Sequence, residues 1–123
     1  MPLDAVSLVQ ALAVDGDAEG LLVVGLDGDG GVCGVALNSR HRALSFVKVW
    51  MLEELLRELQ ACALVVGVFR RGAARAPTRH EVDAFLDLQA RAHRAQVPLH
   101  DCILARGRET WSLSELSAER IRA

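Results

Sequence analysis

Four arginines lie close together in the stretch "FRRGAARAPTRHEVD", which follows a strongly apolar run and leads into a helical pattern. They are Arg70, Arg71, Arg75 and Arg79, and the segment from 70 to 79 is called the arginine loop below. Guanidinium groups bind phosphates and carboxylates through paired hydrogen bonds, so this loop could hold an anion or the acidic surface of a partner. No aromatic residue lies between the four arginines for bases to stack on. A solvated loop is therefore the favoured interpretation, and if the loop binds a partner, we expect a protein in preference to nucleic acid.

Thr78 and Glu81 have the spacing of a capping box at the start of the helix that follows this loop. In such a box the Glu81 amide donates to the threonine hydroxyl, and the Thr78 amide donates to the Glu81 carboxylate. The alternative is that Glu81 binds a metal or acts as a general base, because it would face the end of the preceding strand. The cap is the favoured interpretation, and since glutamine could accept the same hydrogen bond, it predicts a small effect of Glu81→Gln on stability.

The segment "LHDC" brings His100, Asp101 and Cys102 together, but neighbouring residues of a strand point to opposite faces. Only His100 and Cys102 could share a face, and same-face neighbours on one strand are poorly oriented for a nucleophile and its base. A structural role is therefore predicted. The other histidines, which include His41, are scattered and show none of the spacings that hold zinc.

The apolar periodicity predicts alternating helices and strands. The expected elements are a helix over 3–14, a hairpin of strands 21–27 and 32–38 joined by "GDGG", a helix over 47–61, a strand "ALVVGVF", a helix over 79–95, a strand "VPLHDCILA", a turn at "RGRE" leading into "TWSL", and a last helix ending at Arg122. Strands and helices that alternate with short connections are typical of a layered α/β domain.

Length and composition limit the class of protein. A chain of 123 residues with 51% hydrophobic composition predicts one domain with one core, and a formal charge of −2 does not require a polyanionic partner. Cys33, Cys62 and Cys102 form no CxxC pair and are predicted to be reduced and buried. Asp4 lies where a signal peptide needs positive charge, and no apolar run has the length of a membrane span. The protein is expected to be soluble and cytoplasmic.

From about Leu22 to Leu116 the chain resembles the JAB/MPN domain of RadC-like proteins. "VWMLEELLRELQACALVVGVF" is similar to the family's helix leading into its central strand, and "APTRHEV" to its proline, small hydroxyl residue and acid at the next helix. "VPLHDCILARGRETWSL" is similar to its closing strand, glycine turn and strand ending in an aromatic-Ser element. The resemblance implies a single domain over 1–123 with a short N-terminal helix and a cytidine-deaminase-like fold, three α/β/α layers around a central mixed sheet.

The resemblance also implies where the metal site of this metalloprotease-related family would lie. Active relatives carry His-x-His and Pro-Ser-Gly at the end of the central strand and an acid in the next helix. The two histidine positions fall on Val68 and Arg70, the acid falls on Glu81, and the upstream glutamate falls near Ala36, on a hairpin without glutamate. One oxygen ligand cannot fill three protein positions around zinc, so neither metal nor cofactor is expected.

Three functions follow from these observations. The first is a metal-free, non-catalytic RadC-like domain that acts as a protein interaction or scaffold module, with a homodimer left open. The second is a nucleic-acid-associated factor, as in DNA repair, that uses the arginine loop. The third is a hydrolytic enzyme, metal-dependent or not, with non-standard residues such as Glu81, Asp83 or Cys102, although no nucleophile, base and orienting group can be assembled from the spacing.

Overall fold

Apolar runs rich in valine and leucine form two strands in the interior of the sheet. In β1 (Gly20–Leu26) every residue is buried, and in β3 (Ala63–Arg70) every residue is buried except Arg70. A strand without apolar and polar alternation is covered on both faces, so both strands require layers above and below the sheet.

The computed structural model describes residues 5–13, 19–38, 44, 47–107 and 109–122. Its elements, in chain order, are α1 (Ala5–Ala13), β1 (Gly20–Leu26), β2 (Val32–Asn38), α2 (Val49–Glu58), β3 (Ala63–Arg70), α3 (Arg79–Arg94), β4 (Leu99–Arg106), β5 (Glu109–Ser112) and α4 (Leu113–Arg122). The predicted order of helices and strands is confirmed. Residues 3, 4 and 14 of the predicted first helix, and His41, lie outside the described residues.

The sheet is mixed, with five strands in the order β2-β1-β3-β4-β5. Only β3 and β4 run parallel among these neighbours, and their connection is α3. Parallel strands joined through a helix end at the same edge of a sheet, and this edge is where β3 enters the arginine loop. The α/β class with a mixed sheet is thus confirmed.

Helices cover both faces of the sheet. On one face Ala5 and Val9 of α1 pack against a buried cluster that includes Ile103. On the other face Leu52 of α2 and Phe85 of α3 belong to a larger buried cluster. The described elements therefore form three layers, with the larger core between the sheet and α2 and α3.

The hairpin turn is built by Asp27. Its carboxylate oxygen Oδ1 accepts hydrogen bonds from the amides of Asp29 at 2.9 Å and Gly31 at 3.0 Å. Gly30 has φ +84°, a backbone conformation that glycine adopts without strain. The carboxylate is therefore used in the turn, and the predicted hairpin is confirmed with β1 ending one residue earlier than expected.

Several predicted boundaries were wrong by one to three residues, and two of these differences have a local reason. Helix α2 ends at Glu58 and not at 61, because Gln60 takes φ 52° and the amide of Ala61 donates to the carbonyl of Leu56. Strand β4 extends to Arg106, which pairs with Glu109 of β5. The predicted turn at "RGRE" therefore begins with a strand residue.

The prediction that all three cysteines are buried was also wrong. Cys102 is buried, but Cys33 and Cys62 are exposed, because Cys33 lies on the edge strand β2 and Cys62 lies in the loop before β3. Among the described helices, none is both long and apolar enough to cross a membrane.

Candidate functional site

The ends of the two parallel strands bring most of the predicted site together. Arg70 of β3 and Arg106 of β4 are Cα partners in the sheet, and α3 begins at Arg79, the last residue of the arginine loop. A cavity of about 170 Å³ lies at this edge, and Val68, Arg70 and Glu81 all line it. Ala36 does not line this cavity but a separate groove between β2 and α2. The structure thus brings together three of the four positions that the resemblance selected.

The capping box at the start of α3 is confirmed. The amide of Thr78 donates to Oε1 of Glu81 at 2.8 Å, and the amide of Glu81 donates to the Thr78 hydroxyl at 3.2 Å. The box satisfies two amides that the first turn of a helix otherwise leaves without partners. It also fixes the Glu81 carboxylate at the edge of the cavity.

Arg106 is the residue that sequence reasoning missed. It is only 6% exposed, and its Nη2 donates to Oε2 of Glu81 at 2.6 Å. Its Nη1 donates to the carbonyl oxygens of Arg75 at 2.7 Å and Ala76 at 3.3 Å. One guanidinium therefore joins the end of β4, the arginine loop and the first turn of α3. One signal was present in the sequence, an arginine at the end of an apolar strand, but the segment "RGRE" that begins with it was predicted to be a turn.

The Glu81 carboxylate is bound on both of its oxygens, since Oε1 accepts from the Thr78 amide and Oε2 from Arg106. Partial burial raises the pKa of this carboxyl, but the hydrogen bonds and charge of Arg106 and the hydrogen bonds of Thr78 outweigh burial, so the pKa lies below its ordinary value of 4.5. Glu81 is thus a stable anion with a cation as its neighbour, which is the opposite of a poised general base.

Cys102 lines the same cavity but is not a prepared nucleophile. Its side chain is fully buried, and burial, followed by the charges of Asp101 and Glu81, raises the pKa of the thiol far above its ordinary value. A thiol is nucleophilic as the thiolate, which this environment disfavours. His100 is exposed on the strand and lies outside the residues that line the cavity. These features give no support to a Cys–His pair.

Asp101 has a structural role, as predicted for the "LHDC" segment. Its Oδ2 accepts from the Ser112 hydroxyl at 2.6 Å, and its Oδ1 accepts from the amide of Ser114 at 3.0 Å. The amide of Glu115 donates to the Ser112 hydroxyl at 3.2 Å. Asp101 and Ser112 together cap the start of α4 and attach it to β4.

The arginine loop combines a held backbone with exposed side chains. Its backbone is held by Arg106 and by Gly107, whose amide donates to the carbonyl of Arg70 at 3.2 Å. Gly107 has φ +62°, and a Cβ there would lie 2.9 Å from the carbonyl oxygen of Gly72, so the two segments are in close contact.

Three of the loop's arginine side chains, those of Arg71, Arg75 and Arg79, are exposed, whereas Arg70 is half-buried. Arg71 lies 3.9 Å from Glu19, which is half-buried. Arg79 lies 3.9 Å from Asp83, and an exposed ion pair of this length contributes little to stability. The Arg79 side chain can therefore reorient towards a partner at small cost.

Within the described ranges, no three side chains of histidine, cysteine, aspartate or glutamate converge in a way that could hold a metal ion. In the cavity beside Glu81 a metal ion lacks ligands for a chemical reason, since Val68 is apolar and Arg70 and Arg106 are cations.

No model of a known protein family matches the chain, and no curated protein matches its sequence. The RadC-like resemblance therefore stays a prediction.

The ion pair changes the expectation for Glu81→Gln. Glutamine can accept from the Thr78 amide, but it leaves the buried Arg106 cation without a counter-charge. We expect a loss of about 2–3 kcal/mol in the free energy of unfolding, less than a fully buried pair would lose, because the Glu81 side chain is 27% exposed. Urea unfolding measures this loss. Thr78→Ala should cost about 1 kcal/mol, and Asp87→Asn, which breaks the exposed pair of Asp87 and Arg91, about 0.5 kcal/mol.

If Glu81→Gln lowers the free energy of unfolding no more than Thr78→Ala does, the ion pair of Glu81 with Arg106 contributes nothing beyond the cap.

The stability supplied by the Glu81 anion depends on pH in a defined direction. Because the pKa of Glu81 is lower in the folded chain than its ordinary value of 4.5, the contribution is complete above that value and is lost as pH falls through the folded pKa. The difference in unfolding free energy between wild type and Glu81→Gln should therefore shrink between about pH 6 and about pH 3. A difference that stays constant over this range would contradict the assignment.

Proposed function

We propose that this chain is a metal-free, non-catalytic RadC-like JAB/MPN domain that acts as a protein interaction module. The observation that carries the proposal is the pairing of Arg106 with Glu81 at the position where the resemblance puts the metal's acidic ligand. Three layers around a mixed sheet are consistent with the cytidine-deaminase-like architecture of that family.

The local charges explain why the site does not suit zinc. A catalytic zinc site needs three protein ligands that are neutral nitrogens, thiolates or carboxylates, with one position left for water. Here the single carboxylate among the described cavity-lining residues already binds a guanidinium, and Arg70 adds a second positive charge. A divalent cation would have to displace Arg106 and leave it buried without a partner, which is costly.

The arginine loop is the surface that this domain offers to a partner. Its backbone is fixed at both ends by strand β3 and the capped helix α3, and in the middle by Arg106. A backbone that is already ordered loses little conformational entropy on binding, so more of the contact energy appears as affinity. The exposed side chains of Arg71, Arg75 and Arg79 suit a partner surface rich in carboxylates.

Metal content provides the first test. Protein purified without a histidine tag should contain less than a tenth of an equivalent of zinc by elemental analysis, and a chelator should leave its melting temperature unchanged, because no metal contributes to folding. Stoichiometric zinc, together with a melting temperature that falls on chelation, would refute the proposal.

Binding by the arginine loop provides the second test. A fluorescent peptide rich in aspartate and glutamate should bind the wild-type chain, and Arg75→Ala and Arg79→Ala should each weaken binding about three- to tenfold with unchanged melting temperature. Arg94→Ala, at the far end of α3, is the matched control and should bind like wild type.

A single-stranded DNA oligomer of equal charge separates the two partner classes. If the loop binds a protein partner, the DNA oligomer should displace the acidic peptide no better than expected from the oligomer's charge alone. If the oligomer displaces the peptide, and each arginine removed lowers the salt slope by about one unit, the nucleic-acid function replaces the proposed one.

A further inference from the structure

A second surface lies away from the arginine loop, where α2 passes the edge strand β2. The two elements leave a groove of about 290 Å³. Ala36 of β2 forms one side, Trp50, Met51 and Leu55 of α2 form the other, and β1 forms the floor. None of these residues lines the cavity at Glu81. The groove is thus a separate site with a mostly apolar lining.

The strand beside the groove is unusually open for a sheet edge. β2 has the sequence "VCGVALN", with no charge and no proline, and it ends the sheet of described strands. Natural edge strands are commonly protected by charges, proline, shortness or a covering segment. The opposite edge, β5, has only four residues and includes Glu109. Along β2, Leu37 is 71% exposed and Val35 is 44% exposed, while Trp50 across the groove is 63% exposed.

The rim of the groove is acidic. Glu54 and Glu58 both line it, both are exposed, and they lie one helical turn apart on the same side of α2. Like charges at this spacing weaken a helix slightly. Neither residue takes part in an ion pair with another described residue. A cation placed between them would remove this repulsion.

We propose that β2 and this groove bind an extended segment of a partner protein that alternates basic and apolar residues and joins the sheet as an added strand. One large apolar side chain of the segment fills the groove beside Trp50, and two basic side chains on the same face meet Glu54 and Glu58. Same-face residues of a strand are about 6.6 Å apart, close to the rise of about 6 Å between helix residues four apart. The residues between them cover Val35 and Leu37 on the other face.

Charge favours this partner over a second copy of the chain. A two-fold pairing of β2 with β2 would place both α2 helices on one face of the joined sheet. The rows of Glu54 and Glu58 would then face each other across the axis, and like charges in contact oppose association. A basic segment has the opposite charge and makes the same strand hydrogen bonds. The site goes beyond the arginine-loop function and does not depend on it.

A synthetic peptide tests the proposal directly. The probe is the capped peptide Leu-Val-Arg-Val-Lys, and the protein carries Trp111→Phe so that Trp50 is the remaining tryptophan of the two. Binding should shift Trp50 emission to shorter wavelength, because the peptide removes the indole from water. The same peptide N-methylated on alternate amides should bind at least tenfold more weakly, since it cannot complete the strand ladder.

Charge variants supply the matched control. In Glu54→Lys/Glu58→Lys protein the affinity for the peptide should fall about tenfold, and a peptide with glutamate in place of arginine and lysine should now bind better. Glu53→Lys/Glu119→Lys makes the same change of net charge at two exposed positions outside the groove, so it should reduce affinity less than twofold. Melting temperatures of the three proteins verify that each is folded.

Three results would overturn the proposal. The first is equal affinity of the parent and N-methylated peptides, which would exclude an added strand. The second is equal loss of affinity in the Glu53/Glu119 and the Glu54/Glu58 variants, which would reduce the effect to net charge. The third is a concentration-dependent dimer that Leu37→Lys converts to a monomer while the peptide fails to bind, which would assign the surface to a second copy.

Discussion

A buried guanidinium must have hydrogen-bond acceptors and a counter-charge, and Arg106 obtains both at one edge of the sheet. Burying an unpaired cation costs several kcal/mol, so the positions of its acceptors are strongly constrained. Those acceptors are the Glu81 carboxylate and the carbonyls of Arg75 and Ala76. Because they belong to α3 and the arginine loop, a single side chain of β4 sets the geometry of the strand end, the loop and the helix start.

This arrangement has a direct consequence for chemistry. In the proposed family relationship, a divalent cation would lie beside the acid at the start of α3, and here the cation beside that acid belongs to the protein. The guanidinium provides positive charge and fixed geometry but has no open coordination position and cannot activate water. This edge of the sheet is therefore suited to fixing the conformation of the arginine loop, and the exposed arginines on that loop are suited to binding an acidic partner.

Local signals in the sequence predicted the elements well. The run "ALVVGVF" indicated a strand covered on both faces because it lacks alternation, and the glycines of "GDGG" indicated the hairpin. Thr78 and Glu81 indicated the cap because they are three residues apart. The ion pair of Glu81 with Arg106 could not be predicted in this way. It depends on the parallel register of β3 and β4, which places Arg106 beside Arg70 and over the first turn of α3. The groove beside Ala36 was missed for the same reason, since it arises where α2 crosses the sheet edge.

The most direct test of the account is a double-mutant cycle on the free energy of unfolding, using Glu81→Gln, Arg106→Met and the double variant, with and without added zinc. If the ion pair stabilises this edge of the sheet, the coupling energy between Glu81 and Arg106 should exceed about 1 kcal/mol. It should be the same with and without zinc, because the Arg106 guanidinium already occupies the position beside the Glu81 carboxylate. A coupling near zero would contradict the account, and so would zinc stabilisation of the wild-type chain that disappears in the Glu81→Gln variant.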